Sequence, residues 1–185
     1  MPHDLNELVK DALESGAQFA AIVDTSKIDY REEFRQACEK NVCGKYNTNW
    51  MGPPALGPIS ELKIKAAKFK QGLLFQTVYQ MKSSFDLDEM EAAAGIHRAT
   101  FRRILAVVNT KYQFRELLPL DAGCCSVCAR CTYLDGEPCR HPDLAVASLE
   151  AYGIDVMALE KENGLPYYSG ANTVSYVGLI LFDED

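Results

Sequence analysis

The chain has 185 residues, 48% hydrophobic and 24% charged, with a formal net charge of −7. That length supports one domain with a genuine core, and the composition is that of a globular protein. The acidic balance argues against a general nucleic-acid binder, since neutralising phosphates supplies most of such affinity, and no apolar run approaches the roughly 18 residues of a membrane span.

Met1 to Ser15 is polar and helix-like, without a basic-then-apolar targeting pattern, so a cytoplasmic location is expected. Leu5 to Glu14 reads as the first helix: Leu5, Leu8, Val9 and Ala12 share a face, and Gly16 stops it. Phe19 to Val23 is a short buried strand, Asp24-Thr25-Ser26 a turn, and Tyr30 to Glu39 a helix. Residues 38–58 are irregular, because Pro53-Pro54 excludes a helix there. Ser60-Glu61 opens a helix to about Lys70, and Leu73 to Met81 reads as a strand. Asp86 caps a long helix with Glu89 as its capping-box partner. Leu87, Met90, Ala94, Phe101, Leu105 and Val108 lie near helical spacing, with Gly95 a candidate interruption. Phe114 to Leu120 is a strand that runs into a cysteine-rich loop, 123–142. Pro142-Asp143 starts a helix over Leu144 to Ala151, a further helix covers Asp155 to Asn163, and Thr173 to Phe182 is the last strand. This order predicts an α/β or α+β fold: a single domain over 1–185, with a central mixed sheet, flanking helices and a metal loop.

Five of the seven cysteines crowd into that loop. Cys125, Cys128 and Cys131 are spaced three apart, and Cys139 can close the set after a turn at Asp135-Gly136-Glu137-Pro138. Four soft anionic ligands on a short winding loop suit a 4Fe–4S cluster. Zinc is the rival cofactor, since four thiolates also satisfy a tetrahedral site. A zinc set of Cys125, Cys128, Cys139 and His141 is geometrically available as well. An odd cysteine count excludes complete disulfide pairing within one chain. Cys124, next to Cys125, reads as a small buried apolar residue.

The second cysteine-bearing stretch runs from Cys38 through Cys43 to Trp50, Gly52 and Pro53-Pro54. Together with Ala122-Gly123-Cys124-Cys125, Cys128, Cys131, Pro138-Cys139-Arg140, Ser148 to Ala151 and Gly153 to Val156, it resembles a family of small predicted metal-binding proteins found widely in anaerobic bacteria and archaea. The likeness covers about residues 38–182. In that family the first stretch usually reads Trp-x-Cys-Pro-Pro, which implies a second metal centre built on three cysteines. Here Gly52 stands at the third cysteine's position, leaving Cys38 and Cys43. A completing ligand would have to come from Cys124, His97 or a partner chain. Otherwise the stretch is a structured loop with Trp50 packed over it.

Arg140 and Arg130 flank the main loop with charge that would offset an anionic cluster, and His141 is placed to tune a ligand sulfur. His97 reads as a helix-surface residue and His3 as irrelevant near a terminus. Lys63, Lys65, Lys68 and Lys70 read as a solvated basic face, with docking of an acidic redox partner the sharper reading. Tyr79, Tyr152, Tyr167, Tyr168 and Tyr176 are expected in the core or on a sheet face. No phosphate-binding or serine-nucleophile motif is present in the sequence. The expected function is electron transfer or a redox accessory role on a 4Fe–4S cluster in anaerobic metabolism, with a redox partner protein and neither nucleic acid nor membrane. The alternatives are a structural zinc module and an enzyme with a second metal site near Cys38 and Cys43.

Overall fold

Leu73-Leu74-Phe75 and Val177 to Phe182 are apolar at nearly every position, and this decides the architecture. A strand that is apolar on both faces has to be covered on both. The structure is a computed structural model that describes residues 4–183. Helix α1 (Leu5–Glu14) leads to strand β1 (Phe19–Asp24), then α2 (Glu32–Glu39), α3 (Ile59–Ala66), β2 (Gln71–Gln80) and α4 (Leu87–Val107). Strands β3 (Leu117–Asp121) and β4 (Ala147–Ser148), helix α5 (Val156–Glu162) and strand β5 (Thr173–Phe182) complete the chain. The fold is therefore α+β, around one five-stranded sheet ordered β1-β2-β5-β3-β4. The pairs β1–β2, β2–β5 and β5–β3 are antiparallel, and β3–β4 is parallel.

Period-2 alternation sorts the central strands onto two cores. Leu74, Leu118, Leu120, Val177, Leu179 and Leu181 point to one face, where Leu62 and Ala66 of α3, Leu159 of α5, Tyr152 and Ile154 cover them. Leu73, Phe75, Ile180 and Phe182 point to the other, against Leu8 and Ala12 of α1 and Phe101 and Ile104 of α4. Helices α1, α4 and α5 start where side chains accept their first amide protons: Asp4 Oδ1 from Asn6 (2.9 Å), Asp86 Oδ1 from Glu89 (2.9 Å) and Asp155 Oδ1 from Ala158 (3.0 Å). The capping box on α4 is only half made. The Glu89 carboxylate accepts the amide of Lys82 (2.7 Å) instead of reaching back to Asp86.

The predicted strands and the helices at α1, α4 and α5 are present, and Gly95 does not interrupt α4. Three boundaries move. Tyr30 is drawn out of α2 by a bridge to Ile154, α3 ends at Ala66 so that Gln71 can begin β2, and Phe114 precedes β3. The helix expected over Leu144 to Ala151 is absent. Ala147 and Ser148 pair instead with Leu120 and Asp121, and only Glu150–Tyr152 makes a short 3-10 turn. Tyr152 is buried as expected, whereas Tyr167 and Tyr168 are 59% and 74% exposed and belong to no core. His3 lies outside the described residues.

Two buried features generate predictions. Gly178 sits in mid-β5, where a Cβ would run into Phe75 Cζ and come within 2.9 Å of Phe101 Cδ2. Gly178→Ala is expected to cost about 1–3 kcal/mol through overpacking, read as a lowered urea midpoint at unchanged slope. Glu160 is 1% exposed, and Gln76 Nε2 donates to its Oε1 (2.6 Å) and to the Pro166 carbonyl (2.8 Å). Burial pushes the Glu160 carboxyl up to about 7, against the opposing effect of the Gln76 hydrogen bond. A carboxyl raised in the folded state favours folding most below its ordinary pKa, and that contribution is lost as pH rises through the folded value. Melting of wild type and Glu160→Gln across pH 4.5 to 8 should show the wild type losing about 2–3 kcal/mol relative to the variant. Parallel curves would refute this.

Candidate metal centre

Chain leaving β3 is turned at once. The Ala122 amide donates to Asp121 Oδ1 (2.8 Å), and Gly123 takes a left-handed φ of 74° that favours glycine. The cysteine loop follows. It is braced at Thr132–Asp135 by a 3-10 turn, by Thr132 Oγ1 donating to the Pro138 carbonyl (2.9 Å), and by the His141 carbonyl accepting the amides of Leu144 and Ala145 (3.0 and 2.9 Å). Its far end returns as β4 beside β3, and the Leu149 amide donates to the Asp121 carbonyl (3.2 Å). Parallel pairing needs a crossover of a dozen or more residues, usually a helix. Here the crossover is the cysteine loop itself.

Cys125, Cys128, Cys131 and Cys139, all half-buried, line one small pocket. Asn49, Trp50 and Met51 form another part of its wall, and His141 contributes as well while remaining exposed. The 38–58 stretch thus folds over the main loop and is pinned there. Trp50 Nε1 donates to the Glu137 carbonyl (3.0 Å), its ring meets Tyr133 edge-on at 5.0 Å, and Tyr133 donates to Asn47 Oδ1 (2.5 Å). Trp50 therefore covers the 123–142 loop. Among the described residues no group of three or more His, Cys, Asp or Glu side chains converges closely enough to hold a single metal ion. The four thiols share a pocket without meeting at one point.

Around the loop, Arg130 pairs with Asp135, whose carboxyl the guanidinium's hydrogen bond holds below its ordinary value. Arg140 Nη1 donates to the Arg130 carbonyl (3.3 Å). Cys124 is not among the residues of the four-cysteine pocket and lines another with Cys125, Arg98, Arg102 and Asp121. Cys38 and Cys43 lie elsewhere, on a cavity of about 860 Å³. Burial pushes the Cys38 thiol up, with Arg35 opposing, and Cys43 is exposed. The structure brings neither Cys124 nor His97 to these two. A Cβ at Gly52 would meet the Asn49 amide nitrogen at 3.0 Å, so position 52 backs onto a wall of the main pocket.

His97 corrects the sequence reading: it is 1% exposed, not a helix-surface residue. Its Nδ1 is 2.6 Å from Thr77 Oγ1, which ties α4 to β2, and its Nε2 lies 3.0 Å from Asp121 Oδ1 at the end of β3 without making a hydrogen bond there. The signal was in the sequence. His97 shares the helical stripe of Phe101 and Ile104, and a histidine on an apolar stripe is buried with partners. Asp121 and Asn49 carried no such mark.

The sequence model of one protein family, described as "Predicted metal-binding protein (DUF2284)", matches residues 21–182. No curated protein and no solved structure matches the chain.

Trp50→Ala should free the 38–58 stretch from the main loop. Limited proteolysis is expected to cut within 38–58 several-fold faster, with global stability lowered by only about 1 kcal/mol, because one exposed hydrogen bond and a ring contact are lost while both cores stay intact. Unchanged cleavage would show that this lid is held by something else.

Proposed function

The chain belongs to this family of predicted metal-binding proteins, and we propose that Cys125, Cys128, Cys131 and Cys139 hold a 4Fe–4S cluster through which it serves as an electron carrier or redox accessory in anaerobic metabolism. One observation carries this reading: of the seven cysteines, these four border a single pocket. Their thiolates are the soft ligands that such a cluster takes. When bound, the cluster supplies a one-electron couple.

The chain's own residues do the rest. Trp50 and Met51 shield the pocket from water, which bears on the potential of any group held there. His141 shares the pocket wall and is the residue to tune a ligand sulfur, while Arg140 follows Cys139 and brings positive charge beside an anionic group. Residues 123–145 and 31–50 contribute nothing to either apolar core. Long irregular segments are uncommon in a compact domain, and a metal that cross-links the loop would order it. Lys63, Lys65, Lys68 and Lys70 are all exposed, as a docking face for an acidic redox partner in the cytoplasm requires. Among the described residues no helix is long and apolar enough to cross a membrane.

A second reading rests on His141. Because it lines the same pocket, a zinc ion on Cys125, Cys128, Cys139 and His141 would make this a structural zinc module. Metal and acid-labile sulfide analysis of anaerobically purified protein separates the two. The cluster reading expects about four irons and about four sulfides per chain, with most of both lost in Cys139→Ser and the protein still folded by circular dichroism. One zinc without sulfide would replace it by the zinc reading, and no metal of any kind would overturn both.

A further inference from the structure

The cavity of about 860 Å³ on the α5 side of the sheet is within the size range of small-molecule sites. Its walls are largely apolar, with the aromatic residues Phe34 and Tyr167 among those that line it. Its charged groups are four carboxylates, Glu33, Glu150, Asp155 and Glu160, against one guanidinium, Arg31. That guanidinium is already engaged, by Asp29 at 2.7 Å, Asp155 at 3.5 Å and Glu33 at 3.6 Å. Glu160 is the deepest of the four at 1% exposed, and its hydrogen-bond partner is the neutral Gln76. Among the described residues no cation is paired with Glu160 or Glu150. A buried carboxyl without a countercharge is costly unless something supplies one.

We propose that this cavity binds a small amine, as its ammonium ion, carried on an apolar and partly aromatic body, with the ammonium against Glu160. The charge of the walls rejects anions. A neutral ligand would leave Glu160 as it stands, whereas an ammonium provides the missing countercharge, with Tyr167 the aromatic residue of the wall nearest in sequence to the Gln76 partner Pro166. Ala122 borders both this cavity and the pocket of Cys124 and Cys125, so the bound amine would lie beside the root of the cysteine loop. The proposal goes beyond the cluster reading and does not depend on it, because its test reads binding and needs no metal.

The experiment is calorimetric titration of the purified protein with 3-phenylpropylamine, 3-phenylpropan-1-ol and 3-phenylpropionate at pH 6 and pH 8. The titratable and charged groups that line the cavity with Glu160 are Arg31, Glu33, Cys38, Cys43, Glu150, Asp155 and Tyr167. Burial moves Cys38 upward, away from this range. Glu160, pushed up to about 7, ionises within it, while an alkylamine stays protonated throughout. The amine is therefore expected to bind about tenfold more tightly at pH 8 than at pH 6, following the ionised fraction of Glu160. The alcohol should bind at least about tenfold more weakly than the amine at pH 8, and the carboxylate not at all. Glu160→Gln should reduce the amine to the level of the alcohol and remove its pH dependence. No saturable amine binding, equal binding of amine and alcohol, or undiminished amine binding by Glu160→Gln would each overturn the proposal. Loss of binding in that variant counts only if its melting temperature is retained, and Gln76→Leu, which keeps the carboxylate, should then still bind the amine.

Discussion

The β3–β4 pairing is the constraint on which the candidate metal centre depends. Two residues on each side, Leu120 with Ala147 and Asp121 with Ser148, bring both ends of the cysteine loop to one point at the sheet's edge. Without that neck the loop would be a tether whose closure entropy grows with its length. With it, four cysteines distributed along the loop face one pocket. Beneath the neck, His97 lies 3.0 Å from Asp121 and is itself anchored to β2 by Thr77. A buried histidine on α4 thus lies between the rigid layer of the protein and the place where its irregular part begins.

Most of the sheet was legible in the sequence because its physics is local. The apolar runs of β2 and β5, the Asp86 cap of α4 and the Gly16 stop are all readable from a few neighbouring residues. What escaped was decided by partners distant in sequence. Leu144 to Ala151 has helical spacing, but Ala147 and Ser148 satisfy their backbone groups on β3, and ladder pairing overrides a weak local preference. Tyr30 left its helix for the same kind of reason, a bridge to Ile154.

The site was legible by composition and opaque by arrangement. Cysteine spacing marked the four residues that share a pocket. Nothing local marked Asn49 and Trp50 as part of the same enclosure, because their role comes from one loop folding over another. The two cysteine-bearing stretches, which read as two centres in the sequence, occupy different cavities: one lined by four thiols, the other by two thiols, aromatic rings and carboxylates. Chemistry that looks alike along the chain is divided in space between a soft-ligand pocket and an acidic, apolar chamber, with Ala122 as a shared partition to the root of the loop.

Neither apolar core draws a residue from 123–145 or from 31–50. The layered body can therefore be completed by the rest of the chain alone, and its cooperativity is separable from that of the two loops above it. Opening of the two loops therefore requires no break in the sheet, and their exchange with solvent is governed by their own mutual contacts, Trp50 with the Glu137 carbonyl and Tyr133 with Asn47, rather than by the layers beneath.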